Sequence, residues 1–190
     1  MTTVSSNQRN RIHPHKFTLW VAMGSIVMMF AGLTSAYIVR SNQGNWFVFN
    51  MPVIFWYSTF VILLSSLTMH LAVRAFKVRE IPRYRLLISI TAFLGVLFTV
   101  LQFIGFFYLS GHGVKLLGQG SNPSASFLAI ISGLHMLHVL GGVVAIVFIF
   151  FRAYSSKAKS YSIVPVEMVS SYWHFVDILW IYLFIFFSWI

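Results

Sequence analysis

Five long apolar stretches divide the chain, and segments rich in charge, proline or glycine separate them. The stretches cover residues 17–39, 53–73, 86–109, 125–151 and 166–190. Each is near or above the roughly 20 residues that an α-helix needs to cross about 30 Å of hydrocarbon. The pattern therefore predicts an all-α membrane domain of five transmembrane helices over residues 17–190, preceded by a polar tail over residues 1–16.

The positions of lysine and arginine predict how this bundle is oriented. Of the 13 Lys and Arg residues, only Arg40 and Lys115 lie on one side of the predicted membrane. The others lie in the N-terminal tail and in the loops 74–85 and 152–165. Because loops rich in Lys and Arg remain in the cytoplasm, we expect the N-terminus inside the cell and the C-terminus outside.

The composition excludes a soluble protein and several kinds of cofactor site. Hydrophobic residues make up 58% of the chain and charged residues only 8%, whereas soluble domains carry about 25% charged residues. The net charge of +10 lies at the ends of apolar spans, which favours anionic lipid headgroups over nucleic acid. The chain has no cysteine, so disulfides, thiolate metal sites, iron–sulfur clusters and covalently attached c-type haem are excluded.

Polar residues follow one face of the fifth predicted helix. Glu167, Ser170, Ser171, His174 and Asp177 are spaced at i, i+3, i+4, i+7 and i+10. Ionisable side chains deep in a membrane normally face protein or a water-filled cavity. Three interpretations remain open: docking against a helix or lipid, a proton or ion relay, and a metal or haem ligand at His174. In the first, we expect His174 and Asp177 to hydrogen-bond to each other or to the fourth helix.

The fourth predicted helix carries two histidines beside small residues. His135 and His138 are three residues apart, and Gly142 and Ala145 continue the same face. Small residues allow close approach of two helices, and histidine can hydrogen-bond across such a contact. The pair is also compatible with metal binding, but helix packing is the favoured interpretation.

Two further sets of polar residues lie in the second and third helices. Gln102 is expected to form an interhelical hydrogen bond. His70 and Arg74, four residues apart near the cytoplasmic end, are suited either to a lipid phosphate or to ordinary snorkelling into the interface. The sequence contains no nucleophile elbow, phosphate loop or catalytic carboxylate pair, so no catalytic residue is predicted.

Three segments together resemble subunit III of the haem–copper terminal oxidases. One is Glu167 followed seven residues later by His174, within the run from Tyr172 to Trp180. Another is the Gly-Leu-His-Met-Leu-His-Val-Leu-Gly-Gly run over 133–142, and the third extends from Gly95 to Gln102. The resemblance covers residues 15–190 and implies a five-helix version of a fold that has seven helices in other members.

The resemblance also implies a function and a set of partners. Such a subunit is accessory and carries neither haem nor copper, which belong to partner subunits. It packs on subunit I, holds structural phospholipids and supports proton uptake, in a complex that reduces oxygen to water and pumps protons. We expect the aa3 or caa3 cytochrome c type in a bacterial plasma membrane, and membership of a respiratory supercomplex is compatible with this. The residues expected to line the polar seam or bind lipid are His70, Arg74, Gln102, His135, His138, Glu167, His174 and Asp177.

Two departures from the family pattern weaken a direct proton role. Ile26 stands where many members have a glutamate, and Gly105 stands where many have an acidic residue. The alternatives are the same fold in a quinol oxidase or beside a nitric oxide reductase, a membrane haem carrier ligated by histidine, and a small transporter that uses the Glu167–Asp177 stripe.

Overall fold

The computed structural model describes residues 14–42, 52–111, 123–154 and 163–189. These residues form five α-helices, each long and apolar enough to cross a membrane, which confirms the predicted five-helix membrane bundle. The helices are α1 Pro14–Ser41, α2 Val53–Lys77, α3 Ile81–Gly111, α4 Pro123–Tyr154 and α5 Val164–Trp189. Most of the N-terminal tail, most of the 152–165 loop and Ile190 lie outside the described residues, and the orientation stays a prediction.

Proline marks the start of several helices. Pro14 and Pro123 are the first residues of α1 and α4, and Pro52 immediately precedes α2. Pro82 is the second residue of α3. Proline suits the first turn because its missing N–H would have no intrahelical partner there. For this reason α3 already begins at Ile81, although its charged first turn falls outside the apolar stretch.

A tight turn joins α2 to α3 and directs the two helices back along each other. The N–H of Glu80 donates to the carbonyl of Ala75 at 3.0 Å, and that of Arg79 donates to Phe76 at 3.1 Å. Arg79 has φ 64°, so it occupies the left-handed position of a Schellman cap. This cap allows α2 and α3 to pack as antiparallel neighbours.

Four of the helices form a closed ring. In the described residues, α2 lies beside α3, α3 beside α4, α4 beside α5, and α5 beside α2. The remaining helix, α1, packs outside this ring against α4 and α5, and its backbone does not approach α2 or α3. The centre of the ring is therefore the place where side chains from four helices can meet.

Two apolar clusters hold the helices together. The larger cluster occupies the ring and includes the fully buried Trp173, Phe98 and Ile146. The smaller cluster attaches α1 to α4 and α5 through Phe30, Tyr37 and neighbouring residues. Large apolar side chains are exposed on every helix, as expected for surfaces that face lipid or another membrane subunit.

Candidate functional site

Trp173 occupies the centre of the four-helix ring. Its ring lies against the two positions where glycine leaves room: a Cβ on Gly95 would lie 2.7 Å from its Cη2, and a Cβ on Gly142 would lie 2.9 Å from its Cε3. Its Nε1 donates to Ser65 Oγ at 3.0 Å. One indole from α5 therefore contacts α2, α3 and α4. The small residues are visible in the sequence, but the side chain that fills the space beside them could not be predicted from it.

Trp180 repeats this arrangement two turns further along α5. Its Nε1 donates to Thr59 Oγ1 at 3.0 Å. Its ring stacks on that of His135 with centroids 5.1 Å apart, and Phe98 meets it edge-on at 5.2 Å. The two tryptophans thus join α5 to α2 through hydroxyl groups and to α3 and α4 through ring contacts.

His135 and His138 lie on α4 in different surroundings. His135 is fully buried among Phe30, Phe98 and Trp180, and neither ring nitrogen has a hydrogen-bond partner among the described residues. His138 is half-buried, and its Nδ1 donates to the carbonyl of Leu134 on the same helix at 2.7 Å. The structure therefore places His135 inside an aromatic enclosure, where its contacts are with rings from α1, α3 and α5.

His174 faces α2. Its Nδ1 is hydrogen-bonded to the hydroxyl of Ser66 at 2.7 Å, and its ring centroid lies 6.4 Å from that of the exposed His70. Asp177 is only 2% exposed, and its carboxyl group lies beside the hydroxyl of the same Ser66, outside strict hydrogen-bond geometry. The prediction that His174 and Asp177 bond to each other or to α4 is therefore wrong, because Ser66 of α2, which packs against this face of α5, bonds His174 and lies beside Asp177.

A row of hydroxyl groups on α2 makes polar contacts with α3 and α5. Ser58 accepts a hydrogen bond from Gln102 Nε2 at 2.9 Å, which is the interhelical bond expected of Gln102. Thr68 is hydrogen-bonded to Thr91 of α3 at 2.9 Å. Together with the bonds to both tryptophans and to His174, these contacts make α2 the common partner of α3 and α5. The sequence signal for this row is the seven-residue spacing within the pairs Ser58–Ser65 and Thr59–Ser66, which sequence reasoning did not use.

Glu167 lies at the start of α5 in a cluster of charges. Its carboxylate is 3.0 Å from Lys16 Nζ of α1 and 3.4 Å from Lys77 Nζ of α2. The Glu167 side chain is 30% exposed, and such ion pairs contribute only about 0–1 kcal/mol each. The predicted stripe of α5 is thus divided: Glu167 links three helix ends, Ser171 is exposed, and Asp177 is buried.

The two departures from the family pattern have different surroundings. A Cβ on Gly105 would lie 3.1 Å from the ring of Phe55, so an acidic side chain would not fit there without movement of that ring. Ile26 is half-buried and packs against the cluster that attaches α1. Within the described residues, no three His, Cys, Asp or Glu side chains are grouped as a metal site would require.

Comparison with known proteins identifies the family of this chain. Residues 16–190 match the family model described as cytochrome c oxidase subunit III. A cytochrome c oxidase subunit 3 from Corynebacterium diphtheriae is 35% identical over 87% of this chain and 85% of that protein. A "Probable cytochrome c oxidase subunit 3" from Nocardia farcinica is 32% identical over 96% of this chain and 94% of that protein. A cytochrome bo(3) ubiquinol oxidase subunit 3 from Buchnera aphidicola is 29% identical over 88% and 87%. With its five membrane-spanning helices, the chain therefore belongs to the cytochrome c oxidase subunit III family, as a subunit of a haem–copper oxidase in a bacterial plasma membrane.

Proposed function

We propose that this chain is the accessory, cofactor-free subunit III of a proton-pumping oxidase of the aa3 or caa3 cytochrome c type. In this role it stabilises subunit I and holds structural phospholipids, and it performs no catalytic step itself. The observation that carries the proposal is that three buried polar side chains form hydrogen bonds between helices. Trp173, Trp180 and Gln102 direct their N–H groups to hydroxyls of α2, which suits a rigid scaffold.

The surface of the bundle suits a membrane partner such as subunit I. Large side chains including Met28, Phe107 and Phe148 are 77%, 76% and 68% exposed. Such a surface can pack against lipid tails or against the apolar helices of another subunit. Because α1 packs against α4 and α5 alone among the described helices, its opposite face is also open to a neighbour.

The arrangement of α1, α2 and α5 supports the proposed lipid binding. Among the described residues, α1 and α2 have no backbone contact with each other, and both pack against α5. Ile178 and Ile185 are exposed on α5, whereas Glu167 and its two lysine partners lie at the predicted cytoplasmic end. A phospholipid with its acyl chains along the apolar part of α5 and its headgroup near Glu167 and the two lysines would suit this surface.

The electron donor is proposed from the relatives. Relatives named cytochrome c oxidase subunit 3 are 28–35% identical to this chain, and the ubiquinol oxidase subunit lies within that range at 29%. The higher identities carry the cytochrome c name and favour that type, and the quinol oxidase is the second candidate because a relative carries that name.

Purification of the tagged chain from its native membrane in mild detergent tests the proposal. We expect subunits I and II to co-purify in equal amounts, with the haem spectrum of an oxidase and with oxidation of reduced cytochrome c. An unrelated tagged membrane protein from the same cells is the control. Recovery of the chain without other oxidase subunits would refute the accessory role, and oxidation of quinol but not of cytochrome c would favour the second candidate.

A further inference from the structure

The turn between α2 and α3 encloses a hollow on the predicted cytoplasmic side. Its volume is about 310 Å³. We call it the turn pocket, and its lining residues are Leu71, Arg74, Ala75, Val78, Glu80 and Arg83. Of the candidate residues named from the sequence, only Arg74 lines this pocket. The pocket is separate from the hydrogen bonds that link α2 to α3 and α5 inside the ring.

The backbone holds the two arginines of the turn pocket on either side of the turn. Arg74 belongs to the last turn of α2, and Arg83 belongs to the first turn of α3. The nested hydrogen bonds of the Schellman cap and the left-handed Arg79 set the angle at which the chain reverses. Both guanidinium groups therefore border the same hollow without a long flexible loop between them.

The charges that face the turn pocket favour an anion. Glu80 is its one carboxylate, and Glu80 Oε2 lies 3.3 Å from Arg83 Nη1. That contact uses one of the five N–H donors of a guanidinium group. The neighbouring cations Lys77 and Arg85 are directed elsewhere, to Glu167 and to the carbonyl of Ala153. Two arginines against one carboxylate leave a net positive site, and the guanidinium fork matches the geometry of a phosphate.

The apolar surroundings of the turn pocket point to a lipid as the source of that phosphate. Leu71, Ala75 and Val78 form its wall on α2. Further from the turn, exposed Leu67 and Leu64 continue on α2, and exposed Leu86 and Ile90 continue on α3. A ligand with its charge in the pocket would therefore have an apolar track leading away from the turn and into the membrane.

We propose that the turn pocket binds an anionic phospholipid of the cytoplasmic leaflet. The Arg74 and Arg83 guanidinium groups hold its phosphate, and one acyl chain follows the track of Leu67 and Leu86. This site rests on the proposed function, since it adds a defined lipid to the subunit III scaffold, and on the predicted orientation. Glu80 competes with the phosphate for Arg83 and so limits the affinity.

Counting lipids on the purified oxidase complex tests the site. The complex is incubated with phosphatidylglycerol, and the retained lipid is titrated by native mass spectrometry for wild type, Arg74→Gln, Arg83→Gln and the double variant. Near a membrane surface one arginine is worth about fivefold in affinity for anionic lipid, so we expect about 25-fold weaker binding for the pair. Glu80→Gln should bind more tightly than wild type.

Arg79→Asn is the matched control, because it removes one positive charge from the same turn and does not line the pocket. An equal loss for Arg79→Asn and Arg74→Gln would refute a defined site in favour of diffuse attraction, and unchanged binding in the double variant would also refute it. Displacement of phosphatidylglycerol by millimolar inorganic phosphate would overturn the lipid assignment in favour of a soluble phosphate ligand. If the chain does not co-purify with other oxidase subunits, the proposed function fails, and the same titration on the full chain alone still decides the site.

Discussion

Adding one methyl group at Gly142 tests whether Trp173 organises the four-helix ring. A Cβ at this position would lie 2.9 Å from both Cε3 and Cζ3 of the indole and 3.3 Å from Tyr172 Cε1. The indole has little room to retreat, because its Cη2 lies against Gly95 and its Nε1 is bonded to Ser65. We expect Gly142→Ala to cost about 1–3 kcal/mol, the usual range for an added methylene in a well-packed core.

The adjacent Gly141 provides the control for this change. It is exposed, and the nearest atom to its added Cβ would be the Tyr172 hydroxyl at 4.0 Å. Both substitutions replace Gly by Ala in the interior of the same helix and so gain a similar helix propensity, which means that the difference between them isolates packing. The assay heats the purified oxidase and measures the fraction of this chain that still co-elutes with the complex. Gly142→Ala should dissociate at a lower temperature, and Gly141→Ala should match or exceed wild type.

A second substitution distinguishes the clash from other effects. Trp173→Phe removes the outer six-membered ring of the indole, which supplies the atoms nearest to Gly142. In a double-mutant cycle the combination of Trp173→Phe and Gly142→Ala should therefore be less harmful than the sum of the single changes. Equal behaviour of the two alanine variants, or simple additivity in the cycle, would refute the reasoning.

Four further predictions follow from the same structure. Asp177→Asn should assemble with normal initial turnover, because asparagine keeps the shape of the side chain and can still hydrogen-bond to the neighbouring Ser66; an assembled oxidase that has lost most turnover would instead indicate a proton path. Glu167→Gln should loosen α1, since it weakens the ion pairs with Lys16 and Lys77, by roughly 1–2 kcal/mol in total at most; unchanged protease sensitivity of α1 would contradict this. Reporter fusions after residues 80 and 190 should report opposite compartments, and one shared compartment would rule out five spans. The isolated chain should show no Soret absorption, and a stoichiometric band would favour the haem-carrier alternative.

The number of spans and their type could be predicted from sequence because the bilayer imposes them. Hydrocarbon offers no hydrogen-bond partner to the backbone, so an apolar stretch of sufficient length must form a helix. The helix ends were harder to place. The start of α3 lies in the charged segment after Glu80, where an apolar window loses its signal although proline fits well in the first helical turn.

The importance of Gln102 and of the small residues Gly95 and Gly142 could also be inferred. A glutamine within a membrane helix needs a hydrogen-bond partner, and a small residue there permits close approach. The sequence did not indicate which group packs against these glycines. We expected the backbone of another helix, whereas the structure has the side chain of Trp173 there.

Helical periodicity predicted a polar stripe along α5, since that depends only on the angle between successive residues, although the structure leaves Ser171 exposed and buries Asp177. The periodicity did not determine which helix lies opposite this stripe. The closed ring places α2 beside α5, so His174 bonds Ser66 and Asp177 lies beside the same hydroxyl. The sequence by itself established five apolar helices and predicted a polar seam, because both depend on local patterns. Only the tertiary structure decided the partners within the seam, because they depend on how helices distant in sequence pack around a common centre.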